Sequence, residues 1–373
     1  MIYLDHGATS FPKPPDVRRA VQQAMLTCTN PGRSGHRAAM EAAETVYRCR
    51  EEAGALFDCQ PEQVVFTSNC THGLNIAIRT LAKPGSRVVI SGFEHNAVTR
   101  PLYLLDAKVA VAGRRLFDRE NTLLEFEKAL AAGADAAVFT HVSNVFGYIL
   151  PVQEMAALCR QYNVPFIVDA AQSAGILPVS LKTLGADFVA MPGHKGLLGP
   201  MGTGVLLCGR VPQPLMAGGT GSLSLSQGMP PDLPDRAEAG TLNVPGIAGL
   251  AAGIHTLRGM GIRRIFDREQ RAAQKCTQLL RQYGYRVFTG ADQSGTVSFV
   301  PPMDCEEMAQ RLDAQGIAVR AGLHCAPLAH ESAGTVDSGT VRISFGHDAD
   351  DFQITALERA LKQIKLAQSQ KKL

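Results

Sequence analysis

A lysine in a glycine-flanked turn is the residue best suited to covalent chemistry in this sequence. Lys195 stands in the run Pro-Gly-His-Lys-Gly at residues 192–196, directly after an apolar segment. A lysine amine that is withdrawn from water can form an imine with a carbonyl compound. We therefore predict that Lys195 holds the carbonyl group of a cofactor as a Schiff base.

Other polar residues that follow apolar segments predict the partners of such a cofactor. Asp169 could hold a pyridine nitrogen protonated, so that the ring accepts electrons. His95 could lie flat on the ring and carry protons, with a pKa near neutrality. Residues 68–71 (Ser-Asn-Cys-Thr) lead into a predicted helix, whose free N–H groups could bind a phosphate together with the Thr71 hydroxyl. Each residue taken singly has a plainer interpretation as a cap, a turn residue or a solvated group.

The alternation of apolar runs with helical patterns between residues 40 and 210 predicts an α/β fold. Such alternation favours a mostly parallel sheet with helices on both faces. Ligands bind at the carboxyl ends of the strands in such a sheet, so the polar groups that follow the strands should meet at one edge. The predicted strands are 64–67, 87–91, 136–142, 164–168, 188–191 and 204–208, with helices at 74–82 and near 152–159.

The remainder of the chain predicts a second, smaller unit. Residues 210–245 are rich in Gly, Pro and Ser, which indicates a long ordered loop. Helical and strand patterns follow, at 246–258, 266–283, 295–301, 317–320 and 340–345. We predict a large cofactor-binding domain over residues 15–250. A small α+β domain would comprise residues 251–373 together with the N-terminal segment 1–14.

Composition and charge exclude several classes of function. Of the 373 residues, 45% are hydrophobic and 19% are charged, as in ordinary globular proteins. The net charge of +3 gives no reason to expect nucleic acid binding. No apolar run reaches the ~18 residues of a membrane span. The start of the chain also lacks the basic and apolar regions of a secretory signal.

The cysteine pattern predicts a reducing, cytoplasmic setting. Nine cysteines are spread over the chain, an odd number that argues against a disulfide framework. The chain has no CxxC or HxxxH spacing, so we predict no metal site.

Taken together, the motifs resemble the class V aminotransferase family, specifically its cysteine desulfurases and selenocysteine lyases. These are pyridoxal 5'-phosphate (PLP) enzymes of fold type I, and the resemblance implies that cofactor and a homodimer. It extends over nearly the whole chain. The segments that carry it are 3–9 (YLDHGAT), 94–96 (EHN), 142–144 (VSN), 168–173 (VDAAQS), 193–195 (GHK), 238–241 (EAGT) and 320–326 (RAGLHCA).

The resemblance implies a role for each residue of the predicted site. Lys195, Cys325 and His95 would be catalytic: Lys195 would form the internal aldimine, and Cys325 would become a persulfide. Asp169 would pair with the pyridine nitrogen and Gln172 with the ring hydroxyl. The full set of implied PLP ligands is Lys195, Asp169, Gln172, His95, Cys70, Thr71, His194 and, from the other subunit, Thr241. The implied substrate ligands are Asn144, Arg342, Arg320 and His36.

The reaction implied is conversion of L-cysteine to L-alanine, with the sulfur left on Cys325 for an acceptor. Two alternatives stay open at this point. One is a selenocysteine lyase or another class V PLP lyase or aminotransferase, and the other is a non-enzymatic sulfur carrier or scaffold. The short segment around Cys325 is similar to the group II branch. Departures from the familiar pattern predict a divergent subfamily; they are His6, Gly7, Asn69, His72, Pro192 and Pro327.

Overall fold

The computed structural model describes residues 1–31 and 34–370, and a seven-stranded sheet lies at its centre. Two further small sheets accompany it. The strands in chain order are β1 (Ile2–Tyr3), β2 (Val64–Thr67), β3 (Arg87–Ser91), β4 (Lys108–Ala112), β5 (Ala136–Thr140), β6 (Phe166–Asp169), β7 (Phe188–Pro192), β8 (Gly204–Cys208), β9 (Arg286–Phe288), β10 (Thr296–Val300), β11 (Ile317–Ala318), β12 (Arg320–Gly322) and β13 (Thr340–Ser344).

Helices connect most of these strands. The long loop predicted over 210–245 lies between β8 and α8 and holds a single 3-10 turn at Asp235–Ala237. The helices are α1 (Pro15–Thr27), α2 (Arg37–Phe57), α3 (Cys70–Leu81), α4 (Asn96–Leu104), α5 (Arg119–Ala131), α6 (Val152–Gln161), α7 (Leu181–Leu184), α8 (Val244–Met260), α9 (Ile262–Gln282), α10 (Cys305–Asp313), α11 (Pro327–Ala333) and α12 (Asp351–Gln370).

The central sheet has the order β2-β8-β7-β6-β5-β3-β4. Strand β8 pairs antiparallel with both of its neighbours, and the other neighbouring pairs are parallel. Strands β2, β3, β5, β6 and β7 therefore all point their carboxyl ends to the same edge. The predicted α/β fold with a mostly parallel sheet is confirmed.

Alternate residues of the sheet pack into two hydrophobic cores, one on each face. On one face, Val65, Val88 and Ile167 pack with apolar residues of α3 and α4. On the other face, Phe139 and Val168 pack with residues of α2, α5, α6 and α8. Since successive side chains of a strand point to opposite faces, unbroken apolar strands need cover on both sides, which the helices provide.

A third core lies among the later elements of the chain. It joins Leu4 to buried residues between Ala272 and Ile364, which come from α9, β10, α10, β13 and α12. Strands β12-β13-β10-β9 form the antiparallel sheet of this unit, and β1 pairs with β11. The N-terminal segment thus packs with the C-terminal part of the chain. The predicted small domain, residues 251–373 with 1–14, assumes this arrangement. The domain limits themselves stay a prediction, and residues 371–373 lie outside the described residues.

Several boundaries differ from the sequence-based expectation for local reasons. The helix expected at 74–82 begins at Cys70, because the Asn69 side chain accepts a hydrogen bond from the His72 amide at 2.9 Å and caps it. The strand expected at 164–168 spans Phe166–Asp169 instead. Strand β4 and helices α1, α2, α4 and α5 were not predicted. Strand β4 is an edge strand with exposed residues, and Pro101 inside α4 is unfavourable to a helix prediction.

In the part of the chain that the structure describes, no helix combines the length and the apolar character needed to cross a bilayer.

Candidate active site

The turn that carries Lys195 follows β7 and is fixed by close backbone packing. The Gly199 amide donates to the Gly193 carbonyl at 2.8 Å, and the Leu198 amide donates to the Lys195 carbonyl at 2.9 Å. A β-carbon at Gly196 would lie 2.3 Å from the Ala174 carbonyl oxygen, so only glycine fits there. Packing therefore requires the glycine that follows the lysine.

The N-terminal segment clamps the residue before the lysine. The His194 carbonyl accepts hydrogen bonds from the Ser10 amide at 2.9 Å, the Thr9 hydroxyl at 3.0 Å and the Lys13 ammonium at 2.7 Å. These contacts fix the peptide that leads into Lys195. The sequence analysis did not identify Lys13, because its role depends on a contact across 181 residues.

The Lys195 amine is available for reaction. Burial lowers the pKa of Lys195 to about 8, the Arg342 guanidinium acts in the same direction, and the charge of Asp169 opposes it. Among the described residues, none forms a hydrogen bond or salt bridge with this amine. A neutral lysine is the nucleophilic form, so a lowered pKa favours imine formation near neutral pH.

The Asp169 carboxylate lies at the base of the site, at the end of β6. It accepts a hydrogen bond from the Ala171 amide at 2.9 Å, and the Cys70 thiol lies 3.6 Å from the same oxygen. Burial raises the pKa of Asp169, while the Ala171 hydrogen bond and the Lys195 charge oppose this effect. Burial raises the pKa of the Cys70 thiol well above its ordinary value, so this cysteine stays neutral beside the carboxylate. The Gln172 amide donates to the Gly7 carbonyl at 3.0 Å, which fixes its orientation.

His95 caps helix α4 and is held as a neutral ring. Its Nδ1 accepts a hydrogen bond from the Ala97 amide at 3.0 Å, so the proton of the neutral ring is on Nε2. Burial lowers the pKa of His95 to about 4, and the charges of Lys195 and Arg320 add to the effect. This pKa lies below the neutral range expected from the sequence, because burial near several cations disfavours a charged imidazole.

Arg342, the largest fully buried side chain, lies on β13 among groups that orient it. One guanidinium nitrogen donates to Asp5 Oδ1 at 2.5 Å and another to the Asn144 carbonyl at 2.9 Å. The Nε atom of Arg342 has no hydrogen-bond partner among the described residues. The Asn144 side chain donates in turn to the His324 carbonyl at 2.8 Å. The sequence analysis did not identify Asp5 as the partner of Arg342, although the motif at residues 3–9 contains it.

Cys325 lies in the short connection between β12 and α11. It is exposed, whereas the other eight cysteines are buried or half-buried. His324 and Cys325 both have left-handed backbone angles, with φ of 50° and 58°, which is unusual for residues other than glycine. The Asn96 amide donates to the Cys325 carbonyl at 2.8 Å, which places this turn against the start of α4, next to His95. The Arg320 guanidinium lies 3.9 Å from the Cys325 sulfur.

Glu94 is a further buried residue at this edge of the sheet, and the sequence analysis did not assign it a role in the site. Its carboxylate accepts hydrogen bonds from the Ser91 hydroxyl and the Thr140 amide, so it joins β3 to β5 at the edge where the site lies. Burial raises the pKa of Glu94 to about 8.

Three of the implied PLP ligands differ in how far they are exposed. Thr71 is exposed in the first turn of α3, and Thr241 is exposed in the loop before α8. Thr241 lines a pocket that also contains Ser68 and His72 of its own chain. His194 is half-buried, its Nδ1 has no hydrogen-bond partner in the described part of the chain, and burial lowers its pKa to about 4.

His36 is not brought to Lys195 by any described contact. It is exposed and caps α2, where its Nδ1 accepts from the Ala39 amide at 3.3 Å. Its predicted role in substrate binding has no support from the contacts of this chain.

Comparison with known proteins identifies the family. The model of the class V aminotransferases matches residues 2–357. The chain belongs to the class V aminotransferase family. A relative from Methanothermobacter thermautotrophicus is 32% identical over 97% of this chain and 94% of its own length. A relative from Pyrococcus abyssi is 32% identical over 92% of this chain and 89% of its own. Both are described as "Probable cysteine desulfurase".

Solved structures share the architecture of this class V aminotransferase. The apo structure of a cysteine desulfurase from Thermococcus onnurineus superposes with a TM-score of 0.89 at 31% identity, over 97% of this chain and 94% of the other. An Escherichia coli cysteine desulfurase, solved as its S-sulfonic acid, gives a TM-score of 0.81 at 25% identity, over 98% and 94%. The fold predicted from the resemblance is confirmed.

Proposed function

We propose that this class V aminotransferase is a PLP-dependent cysteine desulfurase that forms L-alanine from L-cysteine and leaves a persulfide on Cys325. The observation that carries the proposal is the position of the Cys325 thiol. It is the exposed cysteine of the chain, and its turn is bonded to the start of the helix that His95 caps. The relatives named as cysteine desulfurases support the same assignment.

The chain's own residues fit PLP. Lys195 offers an amine that no described residue hydrogen-bonds, and Asp169 offers a buried carboxylate. The N-terminus of α3 offers the free amide groups that a phosphate prefers, and we assign Cys70 and Thr71 to it, with His194 and Thr241. When bound, PLP supplies an electron sink that allows the bonds around the substrate α-carbon to break.

Arg342 is suited to bind the carboxylate of an amino acid substrate. Its guanidinium is held by Asp5 and by the Asn144 carbonyl, so it is oriented before the substrate arrives. A planar guanidinium binds a carboxylate with two parallel hydrogen bonds.

Lys195, with a pKa near 8, can hold or return a proton at the α-carbon close to neutral pH.

The Cys325 thiol would carry out the sulfur transfer. Its thiolate attacks the sulfur of the substrate, the substrate carbon–sulfur bond breaks, and the electron pair of that bond takes up a proton to give alanine. L-cysteine and the enzyme thiol thus yield alanine and an enzyme persulfide. The Arg320 guanidinium lies 3.9 Å from the sulfur that makes this attack.

A substrate comparison with a cysteine variant tests this function. Cys325→Ala should lower alanine formation from L-cysteine at least about 100-fold, because the nucleophile is lost. Cys28→Ala, at a half-buried cysteine elsewhere, should retain activity. Alanine, sulfide, selenide and pyruvate are measured with L-cysteine, L-selenocysteine and L-cystine, with and without a thiol acceptor. Full alanine formation from L-cysteine by Cys325→Ala would contradict the proposal.

Other outcomes distinguish the alternatives. Selenium can leave the substrate without attack by a protein thiol. A selenocysteine lyase would therefore be identified by two results: Cys325→Ala releases selenide from L-selenocysteine, and the natural protein has only weak activity on L-cysteine. Pyruvate as the main product would identify β-elimination. A protein that stays colourless after addition of PLP would contradict the cofactor assignment.

We propose further that the protein works as a homodimer in the cytoplasm and passes sulfur to an acceptor. All nine cysteines are free thiols, which agrees with a reducing compartment. The exposed position of Cys325 leaves its sulfur accessible to an acceptor. The exposed position of Thr241 leaves it free to reach the site of a second copy of the chain.

A further inference from the structure

A cluster of histidine and carboxylate side chains borders a cavity that Lys195 also lines. The cavity has a volume of about 30 Å³, and Lys195 and Gln172 form part of its wall. Its wall also includes His6, His347 and Glu269. None of these last three residues has a part in the proposed desulfurase reaction.

His6 is a buried histidine whose ring nitrogens lack hydrogen-bond partners among the described residues. Its exposed fraction is 7%. A β-carbon at Gly346 would lie 2.2 Å from His6 Nδ1, so that side of the ring is packed against the backbone. The other nitrogen, Nε2, lies 3.4 Å from Asp348 Oδ1. His6 therefore presents Nε2 to the cluster.

His347 and Glu269 supply further unpartnered groups. His347 Nδ1 has no hydrogen-bond partner among the described residues, and its ring stands nearly perpendicular to that of His6, with centroids 6.3 Å apart. Glu269 is 3% exposed, and no described residue forms a hydrogen bond or an ion pair with its carboxylate. Burial of an unpaired carboxylate is unfavourable unless a cation or donor compensates it. The positive charge of Lys13 acts on both histidines, but its ammonium already donates to Ser10 and the His194 carbonyl.

We propose that His6, His347 and Asp348 bind a divalent transition-metal ion of the zinc type, with a water molecule completing its coordination. One ligand atom from each of the first three residues lies within 4.8 Å of the others. A tetrahedral ion with bonds of about 2.0–2.2 Å needs ligand atoms about 3.4 Å apart. His6 Nε2 and Asp348 Oδ1 already lie 3.4 Å apart. Two imidazoles with a carboxylate suit zinc and cobalt better than magnesium or calcium.

Sequence spacing predicted no metal site, because these ligands come from opposite ends of the chain. His6 follows β1, whereas His347 and Asp348 lie between β13 and α12. An ion here would fix the N-terminal segment to the small domain. The same segment positions Arg342 through Asp5 and Gln172 through the Gly7 carbonyl. The ion would thus stabilise the segment that organises the substrate and cofactor ligands.

Metal titration of untagged, metal-free protein tests the site, with and without PLP. Co²⁺ is followed by its visible ligand-field bands and Zn²⁺ by calorimetry. We expect one ion per chain, without a thiolate charge-transfer band. His6→Asn, His347→Asn and Asp348→Asn should each weaken binding at least about tenfold. His255→Asn should leave it unchanged, since His255 is an exposed histidine that lies 3.7 Å from Glu52 in another part of the fold.

Two results would overturn the proposal. One is equal Co²⁺ affinity in the natural protein and in all three ligand variants. The other is a thiolate band, which would place the ion on a cysteine. Unfolding midpoints of the metal-free variants show whether each one folds. Asp348 is exposed, so Asp348→Asn should fold and still test the site even if the histidine variants do not fold. Desulfurase activity measured on the same samples reports on the proposed function separately.

Discussion

At the scale of single residues, burial sets the protonation of the groups around Lys195. The buried amine has a lowered pKa, the buried Asp169 has a raised pKa, and His95 is neutral at physiological pH. Each shift has the sign that removal from water imposes on a charged group. The site therefore combines a reactive neutral amine with a carboxylate whose charge favours a protonated pyridine nitrogen.

The lowered pKa of Lys195 predicts a pH dependence of cofactor uptake. The protonated amine cannot react with an aldehyde, so the uptake rate of cofactor-free enzyme should rise as pH increases toward about 8 and level off above it. Stopped-flow absorbance after mixing with PLP measures this rate. Borohydride reduction and peptide mapping assign the labelled lysine. A rate that keeps rising toward the ordinary lysine pKa of 10.5 would show that Lys195 is not perturbed.

At the scale of elements, a buried ion pair joins helix α2 to strand β2 and to the loop before α8. Arg50 and Glu238 are 6% and 8% exposed, and the two side chains form paired hydrogen bonds at 2.9 and 2.5 Å. Glu238 also accepts from the Phe66 amide at 2.6 Å. Because Glu238 stands three residues before Thr241, this pair fixes the base of the segment that carries a proposed phosphate ligand.

Removal of one partner of this pair should be costly. Arg50→Met leaves the Glu238 carboxylate buried without its cation and should lower the free energy of unfolding by about 3–5 kcal/mol. Arg48→Met, which removes an exposed pair with Glu44 on the same helix, should cost less than about 1 kcal/mol. Denaturant unfolding of both variants measures the difference. Equal losses of unfolding free energy in the two variants would show that the buried pair stabilises the protein no more than the exposed pair does. Adding Glu238→Gln to Arg50→Met should recover part of the lost stability, because it removes the unpaired charge.

At the scale of the whole molecule, the position of Thr241 bears on the proposed dimer. This residue is exposed and lies in the long loop between β8 and α8. An exposed ligand on a long loop can reach the site of a second copy across a two-fold interface. Such an arrangement makes each site depend on both chains.

Mixing two inactive variants tests this dependence. Lys195→Ala and Thr241→Ala chains, unfolded together and refolded, should form mixed dimers in which one site has both residues. Activity should then approach about one quarter of that of the natural protein, since half of the dimers are mixed and each has one intact site. Each variant refolded alone is the control. Mixed samples no more active than the sum of the controls would place Thr241 in the site of its own chain.

The sequence permitted prediction of most of the fold and of the residue types in the site. An unbroken apolar run followed by a polar residue is a local pattern that predicts a buried parallel strand and its carboxyl end. The positions of Asp169 and Lys195 at one edge of the sheet could therefore be predicted. Elements without a clear period, such as the edge strand Lys108–Ala112, were missed. The close packing of Gly196 against the Ala174 carbonyl could not be predicted either, because a close approach of two backbone segments does not alter the spacing of apolar residues.

By itself, the sequence determined the fold class, the order of the motifs and the presence of a lysine, a carboxylate and a cysteine suited to this chemistry. Tertiary structure alone decided the pairings: Asp5 with Arg342, Arg50 with Glu238, and His6 with His347 and Asp348. These partners come from segments far apart in the chain. Periodicity and turn chemistry act over a few residues, whereas a contact between the two ends of the chain depends on how the whole sheet and its helices fold together.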